Sequence, residues 1–151
     1  MKKLIIGTGP WTPQSDTIGI DILPAFNPDI VRDVTLGLPF DDNKFDEIEI
    51  RQVLEHIGKN EDYYFVMKEI YRCLRPGGTV YITVPYFRDD VAVEASGHLR
   101  FFSENSFIDF YCNPYSVAMG LPQFYLVENK LEDTNFSGVQ PARIVKIILK
   151  K

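Results

Sequence analysis

Phe45-Asp46-Glu47-Ile48-Glu49-Ile50 at one end and Thr79-Val80-Tyr81-Ile82-Thr83-Val84-Pro85 at the other frame the stretch, up to Tyr86, that decides the fold. The first run is short and alternating, which predicts a strand leaving a turn. Between the two lies Val53-Leu54-Glu55-His56-Ile57 and then a marked helix. Asn60 is its expected cap, Glu61 and Asp62 suit the positive end, and Tyr63, Met67, Ile70 and Leu74 make an apolar stripe. Arg72 and Arg75 fall near its C-terminal end, and Pro76-Gly77-Gly78 is expected to stop it. The second run is almost wholly β-favouring. Strand, helix and strand in this order predict a right-handed crossover between neighbouring parallel strands.

Leu54-Glu55-His56-Ile57, then Glu69-Ile70-Tyr71-Arg72-Cys73-Leu74-Arg75-Pro76-Gly77-Gly78, then a strand closed by Pro85, resembles the second half of class I S-adenosylmethionine-dependent methyltransferases. The likeness is to the small, type-11 kind with an abbreviated N-terminal part. It implies an α/β, Rossmann-like three-layer sandwich, with a mostly parallel seven-stranded sheet and a C-terminal antiparallel hairpin. One domain covering residues 1–151 is expected.

Bulk composition sets limits around that reading. At 151 residues the chain is long enough to bury a core without staples. It is 45% hydrophobic and 25% charged, ordinary values for a soluble globular protein. Sixteen basic against 21 acidic residues give a net charge of −5, with no basic run, which argues against non-specific nucleic-acid binding. No apolar run spans a bilayer, and the N-terminal apolar stretch is too short for a signal peptide. Cys73 and Cys112 stand apart, with no CxxC pair and no His at ligand spacing. Reduced thiols in a cytoplasmic protein are therefore expected, and no metal-ligand cluster is visible.

Along the chain, Lys2 to Ile6 reads as a buried strand entering Gly7-Thr8-Gly9-Pro10. Glycines directly after a parallel strand let backbone approach a ligand beyond the strand ends. Leu4-Ile5-Ile6-Gly7-Thr8-Gly9 resembles the family's first motif, with two departures. Ile5 stands where an acidic residue is common, and Pro10-Trp11 replaces a third small residue. Thr17 to Ile20 is the next strand, ending at Asp21, and Ile22 follows. The resemblance implies that Asp21 accepts both ribose hydroxyls of the cofactor; a plain turn carboxylate is the structural alternative. The link from Gly9 to Asp21 holds Pro10 and Pro13, so the usual first helix is expected to be short or missing.

Leu23 to Pro28 reads as loop, and Ile30-Val31-Arg32 as the third strand. By resemblance Asp33 faces the adenine amino group and Val34 offers its backbone to the ring, unless Asp33 only caps a turn. Leu38-Pro39-Phe40, the acidic loop and Phe45-Asp46 match the family again, with Phe40 and Phe45 as core anchors. By the same resemblance Arg51 and Gln52 leave the fourth strand where the cofactor's methionine part would lie; simple solvent exposure is the alternative. A loop is expected from Tyr86 to Gly97, where an acceptor would meet the methyl group. His98 and Arg100 precede a helix expected to be capped by Ser103, with Phe107, Ile108, Phe110 and Tyr111 apolar. Asn113 to Pro122 reads as irregular, and two strands, Phe124–Leu131 and Arg143–Leu149, close the sheet. Lys150 and Lys151 are a solvated end.

The implied reaction is methyl transfer from S-adenosylmethionine, leaving S-adenosylhomocysteine, to a small-molecule or side-chain acceptor. His98 is the preferred base or acceptor-positioning group; His56 and Tyr86 are further catalytic candidates. The cofactor would be held by Gly7, Thr8, Gly9, Asp21, Ile22, Asp33, Val34, Arg51 and Gln52. A catalytically degenerate methyltransferase-fold binding module or partner subunit is the alternative, motivated by Ile5 and Pro10. A nicotinamide-binding Rossmann protein is disfavoured, because Thr12 occupies the third glycine position. The chain starts almost at its first strand, so a homodimer is expected to cover the exposed side of the sheet.

Overall fold

β1 (Lys3–Ile6), β2 (Thr17–Asp21), β3 (Ile30–Val31), β4 (Phe45–Arg51), β5 (Leu74–Pro85), β6 (Tyr125–Thr134) and β7 (Ala142–Lys150) form one sheet in the order β3-β2-β1-β4-β5-β7-β6. They come from a computed structural model that describes residues 1–10, 15–134 and 142–151. The first five strands pair in parallel, and β7 runs antiparallel to both β5 and β6. This is the expected sheet and closing hairpin. Residues 11–14, with Trp11, Thr12 and Pro13, and residues 135–141 lie outside the described residues.

The long helix is α1 (Asn60–Cys73), followed by α2 (Asp90–Glu94), α3 (Ile108–Tyr111) and α4 (Pro114–Ala118). α1 buries Tyr63, Val66, Met67, Ile70 and Cys73 at helical spacing. Those side chains join Ile48 and Ile50 of β4, Val80, Ile82 and Val84 of β5, and Phe107 and Tyr111 in one core cluster. Burying each such side chain contributes about 1.5–3 kcal/mol, so this face fixes the register of β4 and β5.

The alternate residues of the same strands are polar. Lys3 Nζ lies 2.5 Å from Glu47 and 2.9 Å from Glu49, and Arg51 Nε lies 2.5 Å from Glu49. Ile5, on that side and paired with Glu49, is fully buried. The described residues between β1 and β2 form no helix that would cover this face; the expected shortening of the first helix falls partly on residues 11–14, outside the described residues.

Several local expectations need correction. Asn60 does not cap α1: Lys59 is the N-cap, and the Asn60 side-chain Oδ1 accepts from Arg100 Nη2 at 2.9 Å. α1 ends at Cys73, and the Pro76-Gly77-Gly78 kink falls inside β5, with a register shift opposite Phe45 and Glu47. The loop after β5 holds the short helix α2. Ser103 caps no helix, because its hydroxyl and amide turn to the Ser106 hydroxyl, and α3 begins only at Ile108. Within the stretch read as irregular, Asn113 caps α4 by accepting from Tyr115 N at 2.8 Å, with Pro114 at its first position. Lys151 is not a free end but half-buried: its ammonium donates to Leu74 O at 2.7 Å and Tyr71 O at 2.8 Å, at the C-terminal end of α1.

One guanidinium ties down the first half of the Leu38–Asp46 segment. Arg72 donates to Phe40 O at 2.7 Å and Leu38 O at 3.1 Å, and to Asp42 and Glu69 at 2.9 and 2.7 Å. Phe45 is buried and Phe40 meets it edge-on, with ring centroids 4.8 Å apart. Both are the anchors that the sequence suggested.

Candidate functional site

In the sheet order the chain runs outward from β1 to β2 and β3, then returns to β4 on the other side of β1. The C-terminal ends of the parallel strands separate there and open a crevice, the usual ligand position in an open α/β sheet. It is a cleft of 690 Å³ whose walls come from the ends of β1, β2, β3 and β4 and from the turn at Leu54–His56. That volume suits a nucleoside-sized ligand. Gly7, Gly9, Asp21, Ile22, Asp33, Val34, Arg51 and Gln52 all line it. Of the sequence-derived cofactor candidates only Thr8 does not.

Asp21 organises the floor. Its Oδ2 accepts from Gly9 N at 3.0 Å and lies 3.4 Å from the Thr8 hydroxyl, while Oδ1 accepts from Leu23 N at 2.9 Å. The side chain is therefore fixed by the backbone on both sides, with lone-pair capacity left on Oδ1. Thr8, itself buried, serves this arrangement rather than the cleft wall. Gly7 takes φ 79, and a Cβ there would stand 2.6 Å from Arg51 O and 2.4 Å from Val53 Cγ2. Only glycine lets β1 leave the sheet this close to β4. Gly9 differs: at φ 53, a Cβ would meet nothing within 4 Å.

Asp33 caps the 3-10 turn Val34–Leu36, its Oδ1 accepting from Thr35 N at 2.9 Å and Thr35 Oγ1 at 2.7 Å. Oδ2 takes no part in that cap, so turn-capping and ligand contact are compatible. Gln52 adopts φ 51 as it leaves β4, a left-handed conformation uncommon outside glycine, with its N–H donating to Thr83 O at 3.0 Å. Ile22, Leu23, Phe26 and Leu99 supply an apolar rim that is largely exposed.

At one end of the cleft the turn after β4 meets the loop after β5. Leu99 N and Arg100 N both donate to Glu55 O, at 2.8 and 3.0 Å. Arg100 Nε donates to Ile57 O at 3.1 Å, and its guanidinium lies 4.3 Å from the Tyr63 ring centre. His56 lines the cleft, His98 is half-buried beside it, and the two rings are 5.0 Å apart. Glu55 is 1% exposed, and burial pushes its carboxyl up to about 7. Tyr86 lies apart from the cleft: it is buried against Phe87, with the Arg143 guanidinium 4.8 Å from its ring centre.

Phe26, Leu99 and Asp62 also line the cleft and were not singled out from the sequence. Phe26 sits in a 3-10 turn within what reads as loop, and Leu99 arrives from a loop far along the chain, so periodicity carries no signal for either. The grouping of Glu55 with both histidines was equally hidden, and it corrects the expectation that no potential metal-ligand cluster exists.

Known proteins resemble this chain in sequence and in fold. The family model described as "Methyltransferase domain" matches residues 14–82. Demethylmenaquinone methyltransferase of Staphylococcus carnosus (strain TM300) is 32% identical over 108 residues, covering 54% of this chain and 44% of the relative. The chain thus spans less than half the length of that curated relative. Among solved structures, a SAM-dependent methyltransferase from Methanosarcina mazei aligns with a TM-score of 0.72 at 15% identity, over 99% of this chain and 92% of that one. The N-methyltransferase NodS from Bradyrhizobium japonicum WM9, in complex with S-adenosyl-L-homocysteine, aligns with a TM-score of 0.67 at 13% identity, over 99% and 77%. Among the described residues no helix is long and apolar enough to cross a membrane.

Proposed function

We propose that this chain is a class I S-adenosylmethionine-dependent methyltransferase that transfers a methyl group to a small-molecule or side-chain acceptor. One observation carries the reading: the cofactor candidates, Thr8 aside, converge on a single cleft at the point where the strand order reverses. The donor set fits an adenosyl group. A buried carboxylate with a spare lone pair suits ribose hydroxyls, an apolar rim suits a purine face, and the space beyond Gly9 admits the bulk of the ligand.

S-adenosylmethionine supplies an already activated methyl on a sulfonium. The protein's part is to bind, orient and exclude water. Asp21, fixed by Gly9 and Leu23, would accept from the ribose, and Asp33 Oδ2 from the adenine amino group, with Val34 against the ring. Arg51 and Gln52 would meet the methionine end. His56 and His98 stand on the acceptor side, where a preorganised geometry can contribute several kcal/mol. Tyr86, covered by Arg143, takes no part. The degenerate-partner alternative loses ground because the departures at Ile5 and Pro10 leave the cleft open. Self-association belongs to the proposal as well: Tyr125, Leu126 and Val127 on edge strand β6 are 68%, 43% and 57% exposed. A monomer by light scattering at working concentration contradicts that part.

Ligand-dependent melting tests the cofactor. At about 100 times Kd a ligand stabilises by ~2.7 kcal/mol, which at this chain length raises Tm by roughly 5–10 °C. The shift is expected with S-adenosylmethionine or S-adenosylhomocysteine, absent with NAD, and lost in Asp21→Ala. No shift with either sulfur compound restores the degenerate-partner reading.

A further inference from the structure

Glu55 and His56 lie 42 residues or more from His98 in sequence, yet one ligating atom of each lies within 4.8 Å of the others. Glu55 is 1% exposed, and neither carboxylate oxygen has a hydrogen-bond partner. A buried carboxylate without a partner is costly, and native structures rarely leave one so. The two imidazoles supply the complement. His56 Nδ1 is 2.8 Å from Gly97 O, and His98 Nδ1 is 3.2 Å from Ala92 O. A carbonyl only accepts, so in each neutral ring Nδ1 carries the proton and Nε2 keeps its lone pair. A backbone carbonyl behind one ring nitrogen is the arrangement that orients metal-bound histidines.

We infer that Glu55, His56 Nε2 and His98 Nε2 form a binding site for a divalent transition-metal ion of the zinc class. Two imidazoles and one carboxylate are a donor set that zinc and neighbouring first-row ions accept, with a position left for water or an acceptor oxygen. Bonds of about 2.0–2.2 Å keep tetrahedral ligand atoms roughly 3.3–3.6 Å apart, so the ion draws the three groups together by about 1 Å. The two segments are already joined by the Leu99 and Arg100 amides on Glu55 O, so this closure is short. The site lies at the rim of the cleft, because His56 lines it. It does not depend on methyl transfer, and metal binding is read without any methylation assay.

The full chain, stripped with chelator and dialysed, is titrated with zinc by calorimetry and with cobalt by visible absorption. One equivalent per chain is expected, with cobalt d–d bands and no near-ultraviolet thiolate charge-transfer band, and unchanged binding in Cys112→Ser. Glu55→Gln and His98→Ala each weaken binding at least about 100-fold, while circular dichroism shows both variants folded. Two variants are used because Glu55 is fully buried and His98 only half so. Absence of saturable uptake by the unmodified chain overturns the inference, as does uptake that persists in both variants. Loss of S-adenosylhomocysteine binding with metal uptake intact removes the methyl-transfer reading alone.

Discussion

Asp21→Asn separates the two tasks that Asp21 is asked to perform. The carboxylate accepts from Gly9 N at 3.0 Å through one oxygen and from Leu23 N at 2.9 Å through the other. An amide offers only one accepting oxygen, so whichever way it turns, one of these backbone donors faces an NH₂ group. A buried donor without an acceptor costs about 1–3 kcal/mol. At this chain length that lowers Tm by roughly 2–12 °C. The second task is the ribose grip. Losing one charge-assisted hydrogen bond removes about 1.5–3 kcal/mol, which weakens S-adenosylhomocysteine by roughly 10- to 150-fold. Thermal melts without ligand read the first effect. Calorimetric titration well below both melting points reads the second. If Tm falls while the affinity stays within about threefold of the unmodified chain, Asp21 is a staple for the glycine turn, and the ribose assignment is refuted.

Three further outcomes follow from named contacts. Gly7→Ala places a methyl 2.4 Å from Val53 and 2.6 Å from Arg51 O, and is expected to cost roughly 2–5 kcal/mol by urea unfolding. Gly9→Ala meets no atom within 4 Å and should cost only about 1–2 kcal/mol for its left-handed backbone; equal losses in the two variants contradict the close β1–β4 approach. Hydrogen bonding to Arg72 holds the Glu69 carboxyl below the usual carboxylate range. Its folded value is depressed, so the stabilisation is complete above the unfolded value of about 4.3 and is lost as pH falls through the folded one. The Tm gap between the unmodified chain and Glu69→Gln should therefore shrink between about pH 6 and 3; a constant gap shows that no titration is involved. Lys151→Met removes donors to Tyr71 O, Leu74 O and Asn43 and should cost about 1–2 kcal/mol in urea, with an unchanged midpoint as the contrary result.

What could be read from the chain was local or periodic. β4, α1 and β5 carried strong apolar spacing, and Gly7, Asp21 and Asp33 each sat at a strand end, where position alone suggests a ligand. Features made by distant segments were not legible. Ser103 followed by polar residues looks like a cap, yet its nearest partner is another hydroxyl, Ser106, and the helix starts later. Lys151 reads as a solvated tail because nothing in its neighbourhood announces the α1 carbonyls it meets, 77 and 80 residues away. Glu55 is the sharpest case. A glutamate beside a histidine in a polar-looking turn gives no hint of full burial, which arises only when the Gly97–Arg100 loop closes over it.

The glycine turn shows how this chain keeps a cleft despite departing at two positions from the methyltransferases it resembles. Pro10 stands where a small residue would begin the first helix, and the described residues form no helix there. The turn is instead tied sideways. Asp21 joins the end of β1, through Gly9, to the end of β2, through Leu23, while Gly7 presses against the backbone of Arg51 at the end of β4. Three strand ends are thereby fixed by one carboxylate and one missing Cβ. At Ile5 the side chain is fully buried on the face opposite the core cluster, so the position spends its side chain on the sheet and none on the cleft. The methionine end of a bound cofactor then has to be recognised from β4, where Arg51 is braced by Glu49 and Gln52 is held in a left-handed conformation by its bond to Thr83. On this account polar recognition is divided between the β2 end for the sugar and the β4 end for the amino acid, with Gly9 leaving the space between them open.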